Sequence, residues 1–287
     1  MQLGIVTCAK CRDLTPSEQK LLPLLEQERI KSTPVVWNDP DVIWKNFDAF
    51  LVRSIWDYHL HPEEFTTWLD NLESLGKATW NPIPVLRKNH HKFYLRKLQN
   101  SGVTIIPTLF IQKNDETALE EFQKANWQKA VIKPAVSASA WRTETISSTD
   151  LERVKATIGQ ASDYGDFLIQ QFMPEVQETG EISLIFFNNK YSHAVLKQPK
   201  SGEFRVQAEY GGGAVTFQPE RKIIETAEQI LSHFGNQILY ARVDGIVASG
   251  EFVLMELELI EPELFLDSSS GARKRFAESI VSRLTAS

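Results

Sequence analysis

The sequence has few cysteines, no excess of positive charge and no long apolar run, and each shortage excludes a class of protein. Its 31 basic and 37 acidic residues give a net charge of −6, so there is no basic field that would attract nucleic acid. No apolar run approaches the roughly 20 residues of a membrane span. The N-terminal segment is too short and uncharged for a signal peptide and predicts a buried strand, so we expect a cytoplasmic protein.

Cysteine is limited to Cys8 and Cys11, which form one C-x-x-C motif directly after the first predicted strand. The motif is typical of a redox pair or of half a zinc site, but a loop that happens to hold two thiols gives the same pattern. No second C-x-x-C is present to complete a zinc site. Four histidines on polar segments also lack a closing cysteine or carboxylate pattern and do not indicate zinc: His59, His61, His90 and His91.

What is present is an ordinary globular composition, with 42% hydrophobic and 24% charged residues. About the first 80 residues alternate strand and helix patterns, which predicts an α/β unit with a parallel sheet. A capping box at residues 15–18 and Pro62 mark the starts of its two main helices. Further along, helices are predicted at 89–102 and 117–126, and strands at 104–107, 130–133 and 143–147.

The pattern changes near residue 167, where the chain becomes rich in successive strands. These strands are predicted at 167–172, 181–188, 191–198 and 203–209, and a helix follows at 219–234. An acidic hairpin and an amphipathic helix at 271–284 close the chain. We therefore predict an α/β protein whose second part has α+β character.

The most informative stretch is this acidic hairpin, which places four charged residues on one face. Arg242 and Asp244 alternate on its first strand, Glu256 and Glu258 alternate on its second, and residues 249–251 supply the turn. Three neighbouring carboxylates repel each other unless a cation lies between them, and oxygen ligands suit Mg²⁺. Because Mg²⁺ held by carboxylates keeps positions for water and substrate phosphates, the hairpin predicts a nucleotide–magnesium site.

Two lysines upstream of the hairpin are candidate phosphate ligands. Lys133 ends an apolar strand and is followed by a loop of small residues that includes Ser137 and Ser139. A lysine beside such a loop can neutralise phosphates as a point charge, although a strand end that extends its ammonium into water gives the same pattern. Lys92, at the start of the predicted helix at 89–102, is a second candidate.

An apolar strand that breaks at Pro174 predicts a hinge for a nucleotide base. Such a hinge offers backbone hydrogen bonds to an adenine edge and apolar faces for stacking, here from Gln170, Gln171, Phe172 and Met173. Glu181 would accept hydrogen bonds from ribose hydroxyls. The alternative is a buried strand followed by a solvated acid.

Another candidate site follows the third predicted strand, because ligands of open α/β sheets bind outside the carboxyl ends of strands. Arg53 would bind a substrate carboxylate through its planar guanidinium. Asp57 would take an amino group, and Trp56 or Tyr58 would form a wall of the site. The alternative is a helix entrance with aromatic residues in the core.

In this order, the motifs resemble the ATP-grasp superfamily over roughly residues 85–262. The resemblance is carried by Lys92, the Ile-Lys-Pro strand, the hinge, Gly180-Glu181 and the two strands of the acidic hairpin; the ordered set is specific, whereas no single motif is. In that family the last acidic position is often asparagine, so Glu258 adds one negative charge while still offering a metal ligand. Segments at 51–58, 194–199, 204–213 and 240–244 are similar to the glutathione-synthetase-like branch, which includes a cycloserine-forming cyclo-ligase.

The resemblance implies an ATP-grasp fold in three parts. Residues 1–84 would form a Rossmann-like α/β unit on the substrate side, and residues 85–168 a central lid subdomain. Residues 169–287 would form a C-terminal antiparallel-sheet subdomain that carries the metal site.

The resemblance also implies ATP-driven ligation, in which a carboxylate takes the γ-phosphoryl group and an amine then displaces phosphate. Nucleotide contacts would come from Lys92, Lys133, Ser137, Ser139, Gln170, Gln171, Phe172, Met173 and Glu181. Two Mg²⁺ ions, which Mn²⁺ could replace, would lie on Asp244, Glu256 and Glu258. Arg242 would stabilise the transferring group.

Positive charge would also come from Lys197 and Arg205, although Arg205 has the alternative of an ion pair with an acidic neighbour such as Glu203. Gly212 would lie in a mobile turn over the acceptor or in a simple hairpin bend.

These observations lead to the hypothesis of an ATP-dependent carboxylate–amine ligase acting on an amino-acid-like small molecule. We expect no nucleic-acid or membrane partner, and a homodimer as the default assembly. The alternatives are an ATP-grasp kinase that stops at a phosphorylated product and a nucleotide-binding regulator without turnover. The combination of basic and acidic residues argues against the regulator.

Overall fold

The N-terminal part of the protein is a parallel sheet flanked by helices. The computed structural model describes residues 1–200, 202–206 and 210–285. The strands of the first sheet are β1 (Gln2–Thr7), β2 (Lys31–Val36), β3 (Ala49–Val52) and β4 (Ala78–Trp80). They pair in parallel in the order β2-β1-β3-β4. The helices of this part are α1 (Pro16–Gln19), α2 (Leu22–Gln27), α3 (Pro62–Ser74) and α4 (Ile83–Asn89). The predicted α/β unit is confirmed.

Local sequence explains where these helices begin and end. The Thr15 hydroxyl accepts from the backbone of Glu18, and the Glu18 carboxylate accepts from the backbone of Thr15, which is the predicted capping box. The helix is nevertheless interrupted after Gln19 and restarts as α2, which has Pro23 in its first turn, where a missing N–H is tolerated. Helix α3 begins at Pro62 as predicted and buries its apolar face, with Phe65, Trp68, Leu69 and Leu72 in the core.

The middle sheet is antiparallel and lies in the segment that the resemblance predicts to be the lid subdomain. Its strands are β5 (Thr108–Ile111), β6 (Lys129–Pro134), β7 (Glu144–Ser147) and β8 (Phe167–Gln171), in the order β5-β8-β6-β7. Helices α6 (Ala118–Ala125) and α7 (Leu151–Asp163) cover it through Phe122, Val154 and Ile158. Strand β8 crosses the predicted boundary at 168/169, because it pairs with both β5 and β6 and extends to Gln171.

The C-terminal sheet is antiparallel and has five strands. They are β9 (Glu181–Phe187), β10 (Lys190–Gln198), β11 (Gly213–Phe217), β12 (Tyr240–Ala248) and β13 (Glu251–Glu258), in the order β11-β10-β9-β12-β13. The remaining helices are α5 (Tyr94–Asn100), α8 (Glu175–Glu178), α9 (Arg221–Ser232) and α10 (Ala272–Thr285). Residues of α5 and α9 pack in one core with this sheet, and residues of α10 pack in another together with the N-terminal sheet.

Three sequence-based predictions of elements are wrong in position. Residues 203–206 form no strand, and 207–209 lie outside the described residues, so the strand beside β10 is β11. The strand predicted at 104–107 begins only at Thr108, because residues 104–106 instead hydrogen-bond along β13 through Leu254.

The helix predicted at 89–102 begins at Tyr94. Asn89 ends α4, and its side chain bonds the backbone nitrogen of Leu259 and the backbone oxygen of Leu257, each at 2.9 Å. Lys92 lies between α4 and α5, and its backbone nitrogen donates to the Ala135 carbonyl at 2.8 Å. These polar groups are committed to other elements, which is why the helix does not extend through them.

A single buried asparagine joins the N-terminal sheet to the C-terminal sheet. The Asn81 side-chain amide donates to the carbonyls of Tyr240 and Leu259 at 2.8 and 2.7 Å, and its oxygen accepts from the backbone of Leu239 at 2.8 Å. The residue is fully buried. Within the described ranges, no helix has the length and apolarity needed to cross a membrane.

We expect Asn81→Ala to lower the free energy of unfolding by about 3 kcal/mol, because it leaves three buried backbone groups without partners. Equilibrium unfolding in urea measures the effect. Asn71→Ala, an exposed position on α3, should change stability by less than about 0.5 kcal/mol. Similar values for the two variants would contradict the bridging role.

Candidate active site

The three sheets enclose a cavity of about 470 Å³, which is a typical size for a small-molecule site. All three parts of the chain contribute to its wall. The predicted site residues that line it are Trp56, Tyr58, Lys92, Lys133, Ser137, Ser139, Gln170, Gln171, Phe172, Met173, Glu181, Lys197, Arg205, Gly212, Arg242, Asp244, Glu256 and Glu258.

The acidic hairpin, formed by β12 and β13, provides the charged floor of the cavity. Arg242 is directly opposite Glu258, and Asp244 is directly opposite Glu256, so the predicted common face is confirmed. The Arg242 Nε atom donates to both carboxylate oxygens of Asp244 at 3.0 Å, and the same guanidinium pairs with Glu258. Ser183, on the neighbouring strand β9, donates to Asp244.

Three lysines surround this floor and pair with its carboxylates. The Lys92 ammonium lies 2.8 Å from Glu256 and donates to the Ser137 carbonyl at 2.7 Å. The Lys133 ammonium lies 3.6 Å from the other oxygen of Glu256. On the next strands, Lys197 lies between Glu181 and Asp244, at 2.5 and 3.5 Å. These ion pairs satisfy charges that would be costly to bury alone.

These pairs give each predicted metal ligand of the hairpin a basic partner. Across the described ranges, no group of three or more histidine, cysteine, aspartate or glutamate side chains is arranged as a metal cluster. Each acid of the hairpin lies against lysine or arginine instead, because a buried carboxylate needs a nearby positive charge. The donor chemistry still fits Mg²⁺, since Asp244 and Glu256 present carboxylate oxygens from facing strand positions.

The ion pairs with lysine and arginine give the acids of the hairpin different pKa values. Burial opposes ionisation of Glu256, but Lys92 and Lys133 outweigh burial and lower its pKa to about 2. Burial raises the pKa of Glu258 to about 7, although Arg242 partly offsets the effect. Asp244 is also buried, yet Arg242 and Lys197 keep its pKa below the usual value. The floor therefore holds carboxylates of different basicity within one hairpin.

The hinge at residues 170–173 and its neighbours form an apolar slot beside the charged floor. Gln170 donates from its side chain to the Thr108 hydroxyl at 3.0 Å. The backbone of Phe172 donates to Lys129 at 3.1 Å, and the Lys129 ammonium lies 3.8 Å from the centre of the Phe172 ring. The slot is completed by Ile106, Val131, Val206 and Met255. An apolar slot with a few polar groups suits a flat heterocyclic base.

The loop after Lys133 covers the other end of the slot. Ser137 is buried and its hydroxyl donates to the Pro134 carbonyl at 3.1 Å. Ser139 and Ala140 have φ angles of +50° and +54°, a left-handed conformation that is uncommon without glycine. Trp141 holds the loop, with its ring centre 5.3 Å from those of both His59 and Tyr164.

The structure does not bring Arg53 and Asp57 to the cavity. Arg53 is buried against Glu18, with 3.0 Å between Nε and the carboxylate, and donates to the Pro262 carbonyl at 2.8 Å. Asp57 accepts from the Trp37 indole at 2.7 Å. Their substrate-binding assignments are therefore corrected to structural ones, because both side chains are already engaged inside the protein.

Arg205 forms an ion pair with an acidic neighbour, which was the alternative to a role in the cavity. Its guanidinium makes two hydrogen bonds to Glu203, at 3.1 and 2.7 Å, and lies 3.6 Å from the centre of the Tyr210 ring. It nevertheless lines the cavity, as does Gly212.

The two cysteines do not form a reactive pair. Burial and the neighbouring Cys8 raise the pKa of Cys11 to about 11, which disfavours the reactive thiolate of a redox or metal site.

Comparisons with known proteins agree with this geometry. Residues 3–81 match the family profile described as the N-terminal domain of D-cycloserine synthetase DcsG. The chain is 25% identical to the cycloserine biosynthesis protein DcsG of Streptomyces lavendulae, over 98% of this chain and 99% of that protein. It is 24% identical to the glutathione synthetase of Nitrosomonas europaea, over 68% of this chain and 58% of that protein.

Solved structures give the fold. The crystal structure of D-cycloserine synthetase DcsG superposes with a TM-score of 0.89 at 23% identity, covering 99% of this chain and 100% of that one. The D-alanine–D-alanine ligase from Bacillus anthracis complexed with ATP gives a TM-score of 0.74 at 17% identity, with coverages of 100% and 99%. The chain has the ATP-grasp fold. The ATP-grasp resemblance of its motifs is thereby confirmed.

Sequence reasoning missed three residues that line the cavity just after β13: Glu261, Glu263 and Phe265. The signal was present, because acids continue at short intervals beyond Glu258. Glu263 uses one oxygen to accept from the backbone of Phe265 at 2.9 Å. Glu261 is buried, and burial together with the charge of Glu258 raises its pKa to about 8.

We expect Glu261→Gln to stabilise the protein more at alkaline than at acidic pH. The folded pKa of about 8 exceeds the ordinary value of 4.5, so the wild type loses stability as pH rises through this window, whereas the amide does not ionise. The gain in melting temperature over the wild type should be several degrees larger at pH 9 than at pH 5. Glu251→Gln, an exposed position on β13, should lack this trend; an equal gain at both pH values for Glu261→Gln would contradict the raised pKa.

Proposed function

We propose that this chain is an ATP-dependent carboxylate–amine ligase that acts on an amino-acid-like small molecule. The observation that carries the proposal is the arrangement of Lys92, Lys133 and Arg242 against the carboxylates of the acidic hairpin, beside an apolar slot in one cavity. The relatives named for glutathione synthesis and D-alanine–D-alanine ligation support this reaction class.

The ion pairs suggest how ATP would be held. Lys92 and Lys133 meet at Glu256, so a polyphosphate bound there would pair with the lysines while a divalent cation took the carboxylate. Asp244, Glu256 and Glu258 would hold Mg²⁺, which neutralises charge on the β- and γ-phosphates when bound; Mn²⁺ also accepts oxygen ligands. The hinge and the slot would hold the adenine, and Glu181 the ribose.

The reaction then proceeds in two steps. An oxygen of the substrate carboxylate attacks the γ-phosphorus, the bond from that phosphorus to the bridging oxygen breaks, and ADP leaves. The amine nitrogen attacks the acyl carbon, the bond from carbon to the phosphate oxygen breaks, and phosphate leaves as the nitrogen loses a proton. Arg242 is fixed between Asp244 and Glu258, which positions its charge for the transferring phosphoryl group and the acyl phosphate.

The substrate class follows from the relatives rather than from one contact. The relative covered over 99% of its length is named for cycloserine biosynthesis, which supports a small amino-acid-like substrate and allows ring closure within one molecule. The cytoplasmic location and the homodimer remain predictions from sequence.

The test is incubation with ATP, Mg²⁺ and a panel of amino acids, followed by measurement of ADP, phosphate and product mass. Equal amounts of ADP and phosphate together with a condensed product support a ligase. ADP with a stable phosphorylated product means a kinase, and binding without turnover on every panel member means a regulator. A product lighter than one substrate molecule by one water identifies ring closure.

We expect Glu256→Gln to abolish turnover, with a loss of at least about 100-fold in kcat, while the protein remains folded. The amide keeps the shape of the side chain and can still accept from Lys92, but it removes the charge needed for the cation. Circular dichroism and ADP release measure the two properties, and Glu251→Gln on the same strand serves as the matched control. Near-normal turnover in Glu256→Gln would refute the metal assignment.

A further inference from the structure

One buried acid of the cavity forms no ion pair with the residues that the structure describes. Glu181, Asp244 and Glu261 are the carboxylates that both line the cavity and are more than nine-tenths buried in the described chain. Glu181 lies against Lys197, and Asp244 lies against Lys197 and Arg242. The Glu261 side chain, by contrast, has no hydrogen bond or ion pair to any residue that the structure describes.

The position of Glu261 is fixed by its backbone. The Trp56 indole donates to the Glu261 carbonyl at 2.9 Å, and Arg53 donates to the next carbonyl, that of Pro262, at 2.8 Å. Both donors come from the segment after β3, so the N-terminal sheet holds this residue in place at the cavity wall. These contacts to backbone carbonyls fix the position of Glu261 without involving the oxygens of its carboxylate.

A second polar group is also exposed to this part of the cavity. Tyr58 lines the cavity and only 3% of its surface is exposed. Burial and the charge of Glu261 raise the pKa of Tyr58 well above its ordinary value, so the hydroxyl remains protonated and lies within electrostatic reach of the acid. Within the described ranges, its hydroxyl has no hydrogen-bond partner.

The charges around Glu261 define what can bind there. Glu258 and Glu256 face it from β13, and both disfavour a second anion. Lys92 and Arg242 are the nearby cations, and each is already paired with a hairpin carboxylate. A triphosphate or a substrate carboxylate would thus be repelled at this end, whereas a protonated amine would supply the missing counter-charge.

We propose that Glu261, together with the Tyr58 hydroxyl that lines the same cavity, binds the protonated amino group of the amine substrate. The assignment rests on the proposed ligase function and adds the place and the charge of its second substrate. Glu261 is a specificity-determining residue in this view: it selects a primary ammonium over a neutral or anionic group at the same position. The floor of the cavity then serves the acyl phosphate, while the Glu261 carboxylate takes one proton from the bound ammonium and so gives the nitrogen the lone pair with which it attacks the acyl carbon.

Hydroxylamine separates the two halves of the reaction. It is uncharged at neutral pH and traps an acyl phosphate as a hydroxamate without requiring an ammonium site. The wild type is first assayed with ATP, Mg²⁺, hydroxylamine and a panel of carboxylates that includes amino acids, which identifies the carboxylate substrate. A panel of primary amines, comprising ammonium, methylamine, ethanolamine, β-alanine and the alanine enantiomers, then replaces hydroxylamine.

For Glu261→Gln we expect the KM for the preferred amine to rise about 10- to 100-fold, because a hydrogen bond to a charged group is lost. The KM for ATP, the Mg²⁺ requirement and hydroxamate formation should be retained. Tyr58→Phe should raise the same KM by about 5- to 10-fold. Glu263→Gln, which removes a neighbouring acid whose oxygen is already bonded to Phe265, should have a smaller effect than Glu261→Gln. If amine and carboxylate belong to one molecule, Glu261→Gln should lose the cyclic product and keep the hydroxamate.

Other outcomes overturn the assignment in distinguishable ways. An unchanged amine KM in Glu261→Gln, with hydroxamate formation intact, refutes the amine site and leaves the ligase standing. If Glu261→Gln loses hydroxamate formation and also requires more Mg²⁺ than the wild type, Glu261 belongs to the metal site instead. Absence of hydroxamate and ADP in the wild type, with every carboxylate tested, refutes the ligase itself.

Discussion

Charge compensation inside a closed cavity is the constraint on which this structure depends. A carboxylate or an ammonium without a partner is unfavourable away from water, and here strands from two sheets bring such groups together. Arg242 binds Asp244 and Glu258, while Glu256 receives Lys92 and Lys133 from outside its own sheet. The middle sheet is therefore joined to the C-terminal sheet by the ion pair of Lys133 and Glu256, at the place where the nucleotide is proposed to bind.

The extent of charge compensation also determines the pKa of each buried acid. Glu256, flanked by two lysines, keeps its charge across the whole physiological range, whereas Glu258 and Glu261 titrate near neutrality because they are buried with less compensation. One hairpin and the segment after it thus hold both strongly and weakly acidic groups. Such a separation is expected where a metal, a phosphoryl group and an amine have to be handled within one cavity.

Much of the fold was predictable because the patterns were local. The period-two alternation of Arg242, Asp244, Glu256 and Glu258 placed them on one face without knowledge of the rest. Long-range pairing was not predictable in the same way. Arg53 matched a ligand-binding position at the end of a strand, but its partner Glu18 lies 35 residues away. The start of α5 was misplaced because Asn89 bonds to β13, 168 residues further along.

The asparagine bridges have a mechanical consequence. Asn81 and Asn89 tie the first sheet and its last helix to the backbone of β12 and β13, and the Tyr240 hydroxyl reaches back to Ile260 and Val52. These hydrogen bonds couple the first sheet to the C-terminal sheet, and the two together carry Trp56, Tyr58 and the hairpin. The middle sheet is the remaining layer, so under the proposed function any widening of the cavity would come from movement of this sheet relative to the other two.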